Sequence, residues 1–299
     1  MPDHPFEGTA AIVRRALDRH FANTEPGDAV WKGVVGLDEI PVRADVVALE
    51  GTPHPLVRLQ ATALEHALDG PLAQSLAAEQ EGLPLGRLEH DGRAAIVAAS
   101  LLGGGTLDVE ECITAAFAVA TAAGATRGRL TARLAGQDPG ELDIEPEDAP
   151  VPRDADERLA RAEGYVERLL VSNYGSFTRD PEWGYNGPFG SARVFVDVRP
   201  FLGESTVVRV ASPVLSRVEL GDELALRALE IADRSPLGRF SYLHDRRELW
   251  FEHTLLGDAL DPDELELAVG TVARVADGED DALSATFGGI RYADLAAGT

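Results

Sequence analysis

From residue 155 onward the apolar positions change period several times, and each change marks an element. Leu159, Val166, Leu169 and Leu170 recur at helical spacing and predict a helix over Ala155–Asn173. Alternating and β-branched runs then predict strands at Ala192–Val198 and Thr206–Ala211, with a third at Pro213–Val218. Asp222–Asp233, rich in leucine and alanine, reads as a second helix with an N-cap aspartate. Phe240–Leu243 and Glu248–Leu255 read as a hairpin turning at His244-Asp245. Asp261-Pro262-Asp263-Glu264 combines a capping aspartate, proline at the first helical position, and glutamate three residues after the cap. The order is α-β-β-β-α-β-β-α. Strands joined by short turns make an antiparallel sheet with the helices packed on one face, an α+β domain.

The first half repeats this order, and short segments recur in register. Leu85-Gly86-Arg87 recurs as Leu237-Gly238-Arg239, Val57-Arg58-Leu59 as Val208-Arg209-Val210, and Trp31 as Trp183. Leu101-Leu102 recurs as Leu255-Leu256, Leu107-Asp108 as Leu260-Asp261, and Gly136 as Gly289. The spacing stays between 151 and 154 throughout, too long for a solenoid repeat of roughly 20–50 residues. It predicts a tandem duplication, with one divergent copy over 1–136 and another over 155–299. Between them, 137–154 is acidic, proline-rich and free of aromatic residues, a linker composition with too little apolar surface to offset the entropy of ordering it.

Charge narrows the partners. The chain has 299 residues, enough for two cores, and a net charge of −24 from 51 acidic and 27 basic residues; Lys32 is the one lysine. Such a field repels phosphate backbones and anionic lipid, so nucleic acid and membranes are poor partners and a basic or amphipathic polypeptide is a better one. Met1–Gly8 lacks a signal-peptide pattern, and Ala115–Ala125 falls short of the ~20 apolar residues of a membrane span, so the expected location is cytoplasmic. A single cysteine, Cys112, leaves no internal disulfide and no multi-cysteine metal site.

No motif carries catalysis, a cofactor or a metal. Gly103-Gly104-Gly105-Thr106 lacks the lysine of a phosphate loop, and reads as a strand-to-helix connection. Asp258, Asp261, Asp263 and Glu264 are spaced a little like calcium ligands but lack the bend glycine, and helix capping already accounts for them. The seven histidines are scattered, and Gly187–Ser191 is not a nucleophile elbow.

Aromatic residues are the informative asymmetry. Residues 1–150 hold four of the 18, namely Phe6, Phe21, Trp31 and Phe117; the rest lie after residue 164. Val194, Val196 and Val198 share one strand face, which puts Phe195 on the other; Leu249, Phe251 and Leu255 do the same to Trp250. The first-copy counterpart of Trp250 is Ile96. Apolar groups on a nominally polar face mark an interface, either between the copies or with a partner. Trp183, Tyr185 and Phe189, on the preceding loop, are further candidates for it.

From Val207 to Gly289 the punctuation resembles the YbjN family and the related type III secretion chaperone (CesT/Tir chaperone-like) fold. The resemblance rests on Ser212-Pro213-Val214 closing a strand, the helix after Gly221, Leu237-Gly238-Arg239-Phe240, the strand Leu249–Leu256, Leu260-Asp261-Pro262-Asp263-Glu264-Leu265, and Phe287-Gly288-Gly289. It covers most of 155–290 and reaches the first copy through its likeness to the second. It implies a non-enzymatic, chaperone-like protein that holds peptide segments of a client, the two copies acting as a covalent pseudo-dimer, as a monomer or a homodimer. A regulatory or scaffold module for one dedicated protein partner, and an enzyme with an unrecognised site, are the alternatives.

Overall fold

The computed structural model describes residues 5–23, 29–35, 38–49, 52–104, 107–139, 154–202 and 205–297; most of the expected linker, 140–153, lies outside them. The chain divides into two units, one of residues 1–76 with 85–144 and the other of residues 77–84 with 145–299. In the first unit the elements are α1 (Pro5–His20), β1 (Ala22–Asn23), β2 (Val30–Val35), β3 (Asp38–Ala48), β4 (Pro55–Glu65), the start of α2 (Gly70–Gln80, its residues from 77 on counting with the second unit), β5 (Arg87–His90), β6 (Ala94–Leu102) and α3 (Val109–Leu134). The second begins with α4 (Ala155–Asn173), β7 (Thr178–Asp180), β8 (Gly184–Phe189), β9 (Ala192–Phe201) and β10 (Ser205–Ser216). It continues with α5 (Asp222–Arg234), β11 (Arg239–Leu243), β12 (Glu248–Leu256), α6 (Pro262–Phe287), β13 (Ile290–Arg291) and α7 (Tyr292–Ala297).

Each unit is α+β, with an antiparallel sheet. The strand orders are β1-β2-β3-β4-β6-β5 and β7-β8-β9-β10-β12-β11, one topology written twice. β13 adds a short pairing to β10 in the second sheet. A bulge interrupts β4 between Thr62 and Leu64, and another interrupts β10 between Pro213 and Leu215, at matching places. After β6, the Gly103 N–H donates to the Pro55 carbonyl at 2.6 Å; after β12, Gly257 donates to Thr206 at 2.7 Å. These glycines close the strand pair before the long helix.

Local signals set the helix starts. The Asp108 carboxylate accepts from the Glu111 N–H at 2.8 Å and opens α3. At α6 the Glu264 carboxylate accepts from the Asp261 N–H at 3.2 Å, with Pro262 in the first turn, the capping box read from the sequence. At α5 the cap is Gly221, in extended conformation, and Asp222 is the first helical residue rather than the cap.

Two strand expectations are corrected. Pro213–Val218 is not a third strand, because β10 runs through Pro213 to Ser216. Proline lacks an N–H to donate, and a bulge is where a ladder tolerates that. The extra strands lie earlier, at β7 and β8, so Tyr185 and Phe189 belong to a strand and not to a loop.

The second unit's main core lies between the sheet and its helices. Val194, Val196, Val208, Val210, Leu249 and Phe251 meet Val166 and Leu170 of α4, Leu224 of α5, and Leu265, Val269 and Val272 of α6. Gly238, at φ 89°, lets β11 approach β12: a Cβ there would lie 2.6 Å from the Phe251 ring and 3.0 Å from the Glu252 carbonyl. Gly86, at φ 83°, sits in the same way against the Ala98 carbonyl. Gly238→Ala is therefore expected to destabilise the protein by about 2–4 kcal/mol in denaturant titration, from left-handed strain plus overpacking.

Candidate functional site

Register assigns every residue of the second sheet to one of two faces. Phe195 pairs with Ala211, Asp197 with Arg209, Arg209 with Thr254, Ala211 with Glu252, Arg239 with Glu252, and Ser241 with Trp250. These residues occupy the face away from the helices, where period-2 reading put Phe195 and Trp250. Both are covered there, at 4% and 3% exposed. They form a second small core with Ala211, against which Trp183, Leu243 and Tyr292 pack. Trp183 stacks on Trp250 with centroids 4.9 Å apart, and Tyr292 of α7 meets Phe195 edge-on at 6.2 Å. The covering residues come from the β7–β8 turn and α7, within the same unit.

The loop trio of the sequence divides. Trp183 stays half-buried on the open face. Tyr185 pairs with Val196 and joins the helix-side core, while Phe189 packs at that core's edge, 5.5 Å from Tyr174 and 5.9 Å from Phe177. Ile96, half-buried, faces Thr62 and Glu89 in the first sheet. Trp31 does not match Trp183: it lies within β2 and its indole N–H donates to Asp18 at 2.8 Å.

Sequence reading passed over the charged half of this face. Arg209 Nε donates to Glu252 Oε2 at 2.5 Å, and Arg239 Nε donates to Glu252 Oε1 at 3.0 Å. Arg239 also donates to the Leu83 carbonyl at 2.6 Å. Glu252 is 2% exposed and Arg209 8%. Burial alone would raise the Glu252 carboxyl, but the Arg209 and Arg239 guanidiniums outweigh it and hold it down at about 2. Burial likewise opposes Arg209's charge, and Glu252 and Asp197 together raise it. For Arg239 burial is the larger influence and lowers it. The Arg209 guanidinium lies 5.6 Å from the Trp250 ring and 5.7 Å from Trp183, within cation–π range of both. Arg199 pairs with Asp197, and Arg246 lies 5.0 Å from the Trp183 ring while donating to Glu182 at 2.5 Å. Beside Trp183, the residues Arg199, Arg209, Arg239, Arg246 and Glu252 line a cavity of about 390 Å³, with Val207, Ser241 and Leu243 among its walls.

The first sheet carries a related constellation. Arg58 stands between Asp45 and Ser100, as Arg209 stands between Asp197 and Thr254. Arg58 and Arg87 share Glu89. Glu89 lies on β5 where Ser241 lies on β11, and Ala98 holds the place of Glu252, so the shared carboxylate comes from the neighbouring strand.

The acidic residues weighed as metal ligands have backbone partners. Asp258 accepts from the Thr206 N–H at 2.8 Å, Asp261 caps α6, and Asp277 accepts from the Ser191 N–H at 2.6 Å. Among the described residues no three His, Cys, Asp or Glu side chains converge. Cys112 is buried in α3, its thiol pushed up to about 12 by burial. No described helix is long and apolar enough to cross a membrane.

Residues 160–295, most of the second unit, match the TY-Chap1 family, described as T3SS (YopN, CesT) and YbjN peptide-binding chaperone 1. No curated protein matches the sequence. The match begins within α4 and ends within α7, so it spans the sheet, most of its helices and the cavity lining except Glu81–Pro84. Over residues 160–295 the chain is thus similar to the TY-Chap1 family of YbjN and type III secretion peptide-binding chaperones.

Proposed function

We propose that this protein is a non-catalytic, chaperone-like protein whose second unit holds a peptide segment of a client in the cavity beside Trp183. The observation that carries this reading is the cavity itself: an indole wall, apolar flanks and hydrogen-bonding groups, within a stretch similar to a peptide-binding chaperone family. The net charge of −24 favours a basic or amphipathic client by long-range attraction. The first unit is the divergent copy from a duplication, and the pair serves as a covalent pseudo-dimer. The shared strand order, the matched bulges, the glycines at 86 and 238 and the recurring Asp–Arg pairs support that reading. Of the residues expected at an interface, Trp183 is the one that meets the client, and Phe195 and Trp250 support it from beneath.

The test is fluorescence anisotropy with a labelled basic amphipathic peptide. Trp183 is half-buried, so Trp183→Ala should keep the fold yet weaken binding by roughly tenfold or more, as removal of an aromatic anchor does. Unchanged affinity in Trp183→Ala would move the client elsewhere.

A further inference from the structure

The open face of the second sheet is covered at one end by the segment that follows α6. β9 pairs with β10 from Ser205 to Ala211, while β12 pairs along the other side of β10 as far as Ser216. Beyond Ala211, the side that β9 leaves is taken by β13, with Arg291 opposite Leu215 and Ile290 opposite Ser216. Leu215 belongs to the helix-side core, so Ser216 and its partner Ile290 face the open side. Tyr292, two residues on, meets the Phe195 ring there, while Arg291 pairs with Asp281 of α6 on the helix side.

This strap, Ile290–Ala297, is lightly held for something that covers a core. A strand of two residues and a helix of six are each too short to persist alone. Arg291 pairs with Asp281 and Asp294, which are 80% and 51% exposed, and ion pairs so open to water hold a segment weakly. Ile290, Arg291, Tyr292 and Ala293 are all half-buried. Its one large anchor is Tyr292, packed on the buried cluster of Phe195, Ala211 and Trp250. A firm apolar seat therefore lies under a cover of low local stability. We infer that the strap is the chain's own stand-in for a client segment. An extended client segment with an apolar residue and an aromatic one two positions later displaces it, pairs with β10 in place of β13, and seats its ring on Phe195. The inference rests on the peptide-holding reading and adds a second, gated seat to it. Trp183 packs on the same three residues, so the seat adjoins the cavity, and displacement of the strap brings Phe195 within the client's reach. A client's affinity for that seat is lowered by the fraction of time the strap covers it.

Two full-length variants test this. Ser216→Cys combined with Ile290→Cys places thiols on directly paired residues, at a spacing that a disulfide spans, and the native Cys112 is buried. Oxidation locks the strap down and reduction frees it. Tyr292→Ala loosens it. The probe is a fluorescein-labelled synthetic peptide with the sequence of residues 288–297, read by anisotropy. The Tyr292→Ala chain should bind it about tenfold tighter than the parent does, and a peptide with alanine in place of its tyrosine should lose that binding. The oxidised lock should bind the probe about tenfold more weakly than the same protein reduced. Should Tyr292→Ala unfold, the lock alone decides, because its two states differ by one bond. Equal binding by the oxidised and reduced forms, or binding by neither, would overturn the strap. The basic amphipathic peptide of the Trp183→Ala test separates the two readings. If its binding depends on Trp183 while the probe fails, the cavity stands and the strap falls. If the probe behaves as expected while Trp183→Ala leaves that peptide's affinity unchanged, the strap stands and the cavity falls.

Discussion

Glu252→Ala is expected to lower the unfolding free energy by about 3–5 kcal/mol, because it strands two buried guanidiniums without their shared carboxylate. The same residue sets an acid dependence. Its carboxyl titrates at about 2 in the folded protein and near 4.5 in the ordinary range, so the unfolded chain takes up the proton first. The contribution is complete above pH ~5 and is lost as pH falls through the folded value near 2. A depression of that size is worth about 3 kcal/mol for a side chain so deeply buried. Glu252→Gln should therefore flatten the stability profile between pH 5 and 2 in urea titrations. A variant that denatures in acid just as the parent does would show that Glu252 is not held by the arginines.

Trp250→Ala should cost about 3–5 kcal/mol in the same denaturant titration. Trp250 is 3% exposed, stacks on Trp183, lies 5.6 Å from the Phe195 ring, and donates through its indole N–H to Glu248 at 2.9 Å. Deleting the ring leaves a cavity between the sheet and its cover and removes one wall from around Arg209. Trp183→Ala, at the half-buried end of the stack, should cost clearly less stability while removing the cavity's indole wall. If Trp250→Ala left stability unchanged, the cover of Trp183 and Tyr292 would not be a packed core.

Elements governed by local chemistry were legible. α4 runs over the residues that leucine spacing assigned to it, and α6 begins at the capping box. Both follow from interactions within a few residues of the chain. β8 was not legible: Gly-Tyr-Asn-Gly-Pro-Phe has turn composition, and its strand state comes from pairing with β9 along Tyr185–Phe189. The break placed before Pro213 had the same origin, since a bulge is a property of two strands and sequence alone displays one.

The candidate site divides in the same way. Alternation along β9 and β12 determined which face Phe195 and Trp250 occupy, because a strand's side chains have a fixed period of two. It did not determine what covers them. Trp183 reaches that face from a turn, and Tyr292 from a helix near the end of the chain. Arg209 and Arg239 were visible in the sequence only as parts of repeated tripeptides. Their recurrence at Arg58 and Arg87, with Asp45 and Asp197 at the paired positions, was the signal that would have found them. Their meeting on Glu252 was decided by strand register, 43 residues away for Arg209 and 13 for Arg239. Sequence by itself determined periods and caps, which are short-range, and the recurring order of elements that follows from them. Cross-strand partners and covers were decided by the tertiary structure, because each depends on groups brought together only when the sheet is paired and packed.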